Sequence, residues 1–256
     1  MQSESLGGNS RLYVLAGSHF CELARWASAL RGVPLQVVVL SPGPHALQVR
    51  RQWPALRSSQ LPIWHDGAAV MQGSGAILTY LGFPVQQAAA EFLLNELIGP
   101  LARQVFYAAL CRDAAAAAAW MQDAYAPGPG WLAAAVRRAP RWTAAALLRR
   151  EGRRPAELPQ LMRELAQLCA SLSPLAAAEL GALPASPSPL LSRFTLMTGA
   201  LLGPVLAPPP APWQLAPWPS GALAPLADLQ RLPLLQLARA AWQTRSTSAT
   251  QLRAPG

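Results

Sequence analysis

The chain contains no lysine. All 21 of its basic residues are arginine and only 12 residues are acidic, which leaves a formal net charge of +9. Basic proteins attract polyanions, yet arginine without lysine, beside heavy use of alanine and proline, fits a GC-rich coding bias better than a selected nucleic-acid surface. The charge therefore assigns no partner, and neither nucleic acid nor membrane is expected to bind. Cysteine is scarce too. Cys21, Cys111 and Cys169 are odd in number and far apart, with no CxxC pair and no metal-ligand spacing. That excludes a disulfide framework and a zinc site, and suits a reducing compartment. The three histidines, His19, His45 and His65, make no metal constellation. Met1 to Arg11 lacks the charged and apolar regions of a secretory signal. The longest apolar run, 194–210, is broken by Gly203-Pro204 and by Pro208-Pro209-Pro210, too short and interrupted to span a bilayer. No fixed-period repeat is visible, and a cytoplasmic location is expected.

What is present is enough apolar material, 52% of 256 residues, for one large or two smaller cores. Residues 1–10 read as a tail. Strands are predicted at 11–16, 35–40, 61–65 and 68–72, the last two joined by the hairpin signal Asp66-Gly67. Helices are predicted from Ser18 to Leu30, as a short segment over 45–53, and over 74–81. The order is βαβαββα. After Gly82-Phe83-Pro84 the strand signals stop, and alanine- and leucine-rich helices are predicted over 86–111, 114–125, 130–150, 157–171, 188–203 and 226–244. The segment 207–225 reads as an extended surface loop and the chain from Ser246 as a disordered tail. The expected domains are 11–83 (α/β) and 91–246 (all-helical), joined by a linker at 84–90, with a tail at 247–256.

The densest information lies in Ser18-His19-Phe20-Cys21-Glu22-Leu23-Ala24-Arg25-Trp26-Ala27, directly after the apolar strand Leu12 to Ala16. A hydroxyl and a thiol sit three positions apart where a helix begins, and a helix N-terminus favours a nearby anion. The stretch resembles the SHYCEKARWAL variant of bacterial glutathione transferase-like proteins. Leu61-Pro62 matches the position of that superfamily's cis-proline. Gln72-Gly73-Ser74-Gly75-Ala76-Ile77-Leu78-Thr79-Tyr80-Leu81 resembles its ESxAIxxYL motif, and Leu232-Pro233 through Trp242 and Arg245 resembles its closing helix. The resemblance to the glutathione S-transferase superfamily implies a thioredoxin-like N-terminal domain followed by an all-helical domain. It also implies glutathione as co-substrate, a small apolar electrophile as second substrate, and a homodimer.

On that resemblance the backbone of Leu61, before the cis bond to Pro62, pairs with the cysteinyl unit of glutathione, and Ser74 with the N–H groups behind it holds the γ-glutamyl carboxylate. Ser18 occupies the place of the thiolate-stabilising hydroxyl; its plainer reading is a helix cap. Cys21 reads as a buried structural thiol or, with Ser18 inert, as the nucleophile of a thiol-dependent reductase. His19 reads as a glutathione contact or as an exposed turn residue. Phe106, Tyr107 and Trp120 read as the electrophile pocket or as helical core, and Arg25 as structural. Arg137, Arg138, Arg141, Arg149, Arg150, Arg153 and Arg154 form the densest charge cluster and read as a solvated face without aromatic interleaving of the nucleic-acid type. The chain departs from the superfamily pattern at four places. Gly73 stands where an acidic residue usually precedes the serine, and His19 stands for a proline. Leu23 stands for a basic residue. At Leu191-Ser192-Arg193-Phe194-Thr195 the usual helix-capping aspartate is replaced. Weak or absent glutathione binding, a less stable helical domain, and a non-catalytic binding scaffold are the corresponding expectations.

Overall fold

The computed structural model describes residues 10–67, 69–183, 191–206, 215, 218–219 and 229–251, the last seven by backbone alone. Four strands, β1 (Arg11–Leu15), β2 (Gln36–Leu40), β3 (Ile63–His65) and β4 (Val70–Gln72), form one sheet in the order β2-β1-β3-β4. β1 runs parallel to β2 and antiparallel to β3, and β3 runs antiparallel to β4. Leu12, Tyr13 and Val14 are buried, as a central strand requires, whereas Val37 on edge strand β2 stays exposed. Ser10, placed in the tail by sequence, is buried, and its carbonyl accepts from Gln36 N at 3.0 Å, so sheet bonding begins one residue early. The β3–β4 turn closes as predicted: Asp66 Oδ1 accepts from Ala69 N at 2.7 Å.

The crossover helix α1 (His19–Leu30) and α2 (His45–Gln52) follow β1 and β2, and α3 (Ser74–Tyr80) follows β4. Tyr13, Val49, Trp53 and Ile63 form a small core beneath α2. The large core crosses from the sheet into the helical half. The predicted helix 86–111 is α4 (Ala88–Phe92), a π-helical turn (Leu93–Ile98) and α5 (Gly99–Leu110) in succession. Pro100 explains the widened turn. It has no N–H to give and crowds the carbonyl four residues back. α6 (Ala114–Tyr125) matches its prediction.

The single helix expected over 130–150 is two, α7 (Gly130–Arg138) and α8 (Pro140–Arg150). Ala139, ahead of Pro140, leaves the helical region at φ −138°, ψ 55°, because a proline disfavours the α conformation in the residue before it. α9 (Leu158–Ser171) is followed by α10 (Ser173–Ala182), which sequence reading missed although Pro174 is a helix-start signal. α11 (Arg193–Leu206) is buried at every residue. α12 (Pro233–Gln251) carries helix beyond the expected tail boundary at Ser246. The predicted loop 207–225 lies for the most part outside the described residues. Among the described residues no single helix is long and apolar enough to cross a membrane.

The two halves are joined along α1 and α11. Trp26 of α1 is almost fully buried, and a Cβ at Gly199 of α11 would lie 2.8 Å from its ring, so only glycine permits this approach. Trp242 of α12 packs on Trp26 at 5.4 Å and donates Nε1–H to the Gly199 carbonyl at 2.7 Å. A polar pin reinforces the seam. Arg193 bonds Glu91 at 2.8 Å, Thr79 Oγ1 at 2.8 Å, the Phe83 carbonyl at 2.9 Å and the Gly75 carbonyl at 3.2 Å. The cap of α11 is rebuilt rather than lost. Ser192 Oγ accepts from Thr195 N at 3.0 Å, and Ser192 and Thr195 both donate to Glu179 Oε2.

Candidate functional site

Register alone gathers the predicted residues. Tyr13 pairs with Ile63 and Ile63 with Gln72, so the C-terminal end of β1, the N-terminal end of β3 and the C-terminal end of β4 share one end of the sheet. Ser18, Leu61, Pro62, Gly73 and Ser74 all follow or precede those ends. The Leu61–Pro62 bond is cis, as expected. The Pro62 carbonyl accepts from Gly73 N at 2.9 Å, tying the cis turn to the start of α3. The approach to that turn is held by Gln72, whose amide donates to the Ser58 and Gln60 carbonyls at 3.0 and 2.8 Å. Sequence reading missed Gln72, because a glutamine at a strand end carries no signal of its own.

Ser18 is the N-cap of α1, its hydroxyl oxygen accepting from Cys21 N at 3.4 Å. Accepting leaves the hydroxyl proton free to be donated elsewhere. Gly17 before it has φ +74°, and a Cβ there would lie 2.7 Å from the Trp120 ring, so both its turn and its space require glycine. Ser74 opens α3 and is buried. Gly73 adopts φ +91°, and nothing lies within 4 Å of where its Cβ would be. A side chain would have room there but would bear backbone strain of about 1–2 kcal/mol. The N-termini of α1 and α3 thus face the same end of the sheet, and the first-turn N–H groups of a helix, which lack intrahelical acceptors, suit an anion.

Cys21 has no accessible surface, and its thiol accepts from Leu15 N at 3.4 Å. Burial pushes its pKa up to about 11, against the Ser18 hydrogen bond that favours the thiolate. At neutral pH burial therefore favours the protonated thiol. His19 is not an exposed turn residue. It is buried, bonds the Gly99 backbone and faces Arg103, with Nε2 lacking a partner among the described residues. Burial, then the Arg103 charge, holds its pKa well below the ordinary 6.5, against the Gly99 bond. The folded state therefore keeps His19 neutral while the unfolded chain protonates near pH 6.5. Stability from this group is complete above pH 6.5 and falls as pH drops, by up to about 1.4 kcal/mol per unit. Thermal melting from pH 7.5 to 5 checks this: the loss on acidification is expected to shrink in His19→Gln, and an unchanged profile contradicts it.

The helical half covers this end of the sheet. Trp120 lies over Gly17, and Phe106 and Tyr107 pack on Trp120 at 5.2 and 6.0 Å. Phe106 and Trp120 are core members and Tyr107 is half-buried, so the trio forms the packed wall beside the turn. Burial raises the Tyr107 hydroxyl pKa. Beside it, Arg103 bonds Glu151 at 2.7 Å. Arg25 pairs with Glu22 at 2.6 Å, the structural role expected of it. Among the described residues no group of three or more His, Cys, Asp or Glu is placed to hold a metal ion.

Residues 12–83 match the family model of the glutathione S-transferase N-terminal domain. Among solved structures, the chain is similar to a theta class glutathione S-transferase from the citrus canker pathogen Xanthomonas axonopodis pv. citri with glutathione bound. The identity is 14%, the TM-score 0.55, and the match covers 97% of this chain and 99% of that one. It is also similar to glutathione S-transferase III in its apo form, at 14% identity and TM-score 0.51, covering 96% of this chain and 98% of that one. No curated protein sequence matches the chain.

Proposed function

Residues 12–83 belong to the glutathione S-transferase N-terminal domain family and the whole chain carries the glutathione S-transferase fold, and on that footing we propose that the protein binds glutathione and transfers it to a small apolar electrophile. The observation that carries this reading is the shared sheet end, where the cis Leu61–Pro62 turn, the start of α3 at Ser74 and the capped turn at Ser18 meet. The Leu61 backbone precedes the β3 ladder and would pair with the cysteinyl unit. Ser74 and the first N–H groups of α3 would take the γ-glutamyl carboxylate, and the Ser18 proton would be donated to the thiolate. A glutathione-bound structure of the same fold supports the choice of ligand. Cys21, buried and protonated, takes no part in the chemistry.

A non-catalytic binding role is the second reading, and Gly73 favours it, since it offers no carboxylate to the peptide's α-amino group. Calorimetric titration with reduced glutathione up to millimolar separates the two. Binding is expected, weakened about tenfold in Ser74→Ala by loss of one charge-assisted hydrogen bond. No heat at millimolar glutathione overturns the transferase reading and leaves the scaffold. A cytoplasmic location and pairing into a homodimer belong to the same proposal. The exposed Val85, Phe92 and Leu97 near and along α4 and the π-helical turn support pairing, which sedimentation velocity reads directly.

A further inference from the structure

Two tryptophans accompany the arginine cluster: Trp131 precedes it and Trp142 stands between Arg141 and Arg149. The structure adds that both indoles are 72% exposed, at the extreme for large apolar side chains of a folded chain. The pattern Pro-x-Trp-x-Ala-Ala-Ala occurs twice, at Pro129 and at Pro140, and opens two successive helices. Trp131, Ala135 and Arg138 on α7, and Trp142, Ala146 and Arg149 on α8, recur at the i, i+4, i+7 spacing of one helix face, and all six are exposed. On the opposite side Val136, Ala144 and Leu148 are buried, with α7 and α8 packed on α5 and α6. The alanine beside each indole leaves nothing bulky to shield it.

Charge gathers at the ends of the same two helices. Between Asp123 and Glu151 the sequence has arginines at 137, 138, 141, 149 and 150 and no acidic residue. Arg141 is occupied by the Cys111 carbonyl, to which its Nε donates at 2.7 Å. Arg137, Arg138, Arg149 and Arg150 are exposed at the C-terminal ends of α7 and α8, with no ion pair among the described residues. Single-stranded nucleic acid is the competing polyanion, but it calls for a charged groove with bases stacked along it. Here the indoles stand on the outer faces of two surface helices. Tryptophan beside arginine on such a face is suited to the boundary between lipid headgroups and acyl chains, where an amphipathic ring and a phosphate are both in reach.

We propose that the exposed faces of the successive helices α7 and α8 dock on an anionic phospholipid surface, with Trp131 and Trp142 entering the headgroup layer and the four arginines pairing with lipid phosphates. The segment leading into α7 is rooted at the end of β2, at the same end of the sheet as the candidate site, since a Cβ at Gly128 would collide with the Ser41 hydroxyl. Docking there would bring the sheet end close to the lipid, a source of apolar electrophiles. The proposal stands whether or not glutathione binds.

Sedimentation of the full-length protein with vesicles tests it. Phosphatidylglycerol–phosphatidylcholine vesicles are expected to carry the protein down at about 0.1 M salt, and pure phosphatidylcholine vesicles to leave it in solution. Arg149→Gln with Arg150→Gln should lower the partition coefficient on the order of thirtyfold. Trp131→Ser with Trp142→Ser should lower it as well, and low salt should not restore it fully. Both pairs are exposed, so the melting temperature is expected to hold. No sedimentation with the anionic vesicles overturns the proposal, and so does tight binding of single-stranded RNA by a protein that ignores the vesicles. Equal partition of the tryptophan variant and the parent also overturns it, because charge alone would then account for binding.

Discussion

Replacing Arg193 with methionine is expected to destabilise the fold by about 3–5 kcal/mol, the cost of stranding a buried carboxylate. The side chains of Arg193 and Glu91 are 7% and 6% exposed, so neither charge finds water when the other is removed. The guanidinium also satisfies two backbone carbonyls and a hydroxyl on the α3 side, at Gly75, Phe83 and Thr79. Loss of the arginine therefore leaves acceptors unpaired in both halves of the molecule. Glu91 Oε1 meanwhile accepts from the Gln86 and Gln87 backbone N–H groups at 3.1 and 3.2 Å, so the carboxylate is fixed at the start of α4 and cannot swing out to solvent. Thermal melting should show a fall on the order of 10 °C for a chain of this size. The double variant Glu91→Gln, Arg193→Met should recover part of it, because the unpaired charge goes with the first substitution. A single-variant loss below about 1 kcal/mol, the usual value of an exposed pair, would mean that the pair is hydrated.

That pin was hidden in the sequence, and the reason is physical. Arg193 and Glu91 are distant in the chain and each looks like an ordinary helix-end charge. Their pairing exists only after α11 has packed against α3 and α4. The cap of α11 is hidden for a related reason. A missing aspartate suggested a weakened helix, whereas Ser192, Thr195 and Glu179 share the work, the glutamate arriving from α10, a helix that sequence reading did not foresee. Local rules succeeded where the decision is local. The order of strands and helices, the Asp66-Gly67 hairpin and the α1 cap at Ser18 all follow from residues within a few positions of one another, whereas the cis bond before Pro62 was implied by the family resemblance alone. Local rules also held the break at Ala139, had the proline after it been weighed against the run of alanines. At the candidate site the backbone frame was legible and the covering was not. Nothing near Gly17 in sequence announces that Trp120 lies across it, and nothing near His19 announces burial against Gly99 and Arg103.

Substituting Ser18 tests the proposed chemistry most sharply, because the cap and the thiolate contact use different parts of one hydroxyl. The oxygen accepts from Cys21 N, and the proton is the part that would be donated to the glutathione thiolate. Ser18→Ala loses both: stability should fall by about 1 kcal/mol, and kcat/KM for conjugation should fall about 10–100-fold, the value of one charge-assisted hydrogen bond of roughly 1.5–3 kcal/mol. Ser18→Asp separates the roles. Aspartate caps a helix as well as serine does, so the melting temperature should stay near that of the parent, while a carboxylate beside a thiolate should abolish the rate advantage. The pH profile carries the same signature. Lowering the bound thiol from about 8.5 towards 7 takes roughly 2 kcal/mol of thiolate stabilisation. The parent's rate should then rise with pH and level off near neutrality, and in Ser18→Ala the rise should move to higher pH by about one unit or more. Ser18→Thr keeps a hydroxyl in the same place and should retain most of the parent's rate. If alanine and aspartate variants conjugate as fast as the parent, Ser18 is a cap alone and glutathione is activated elsewhere or not at all. If both lose activity while only alanine loses stability, the hydroxyl proton is the group that holds the thiolate.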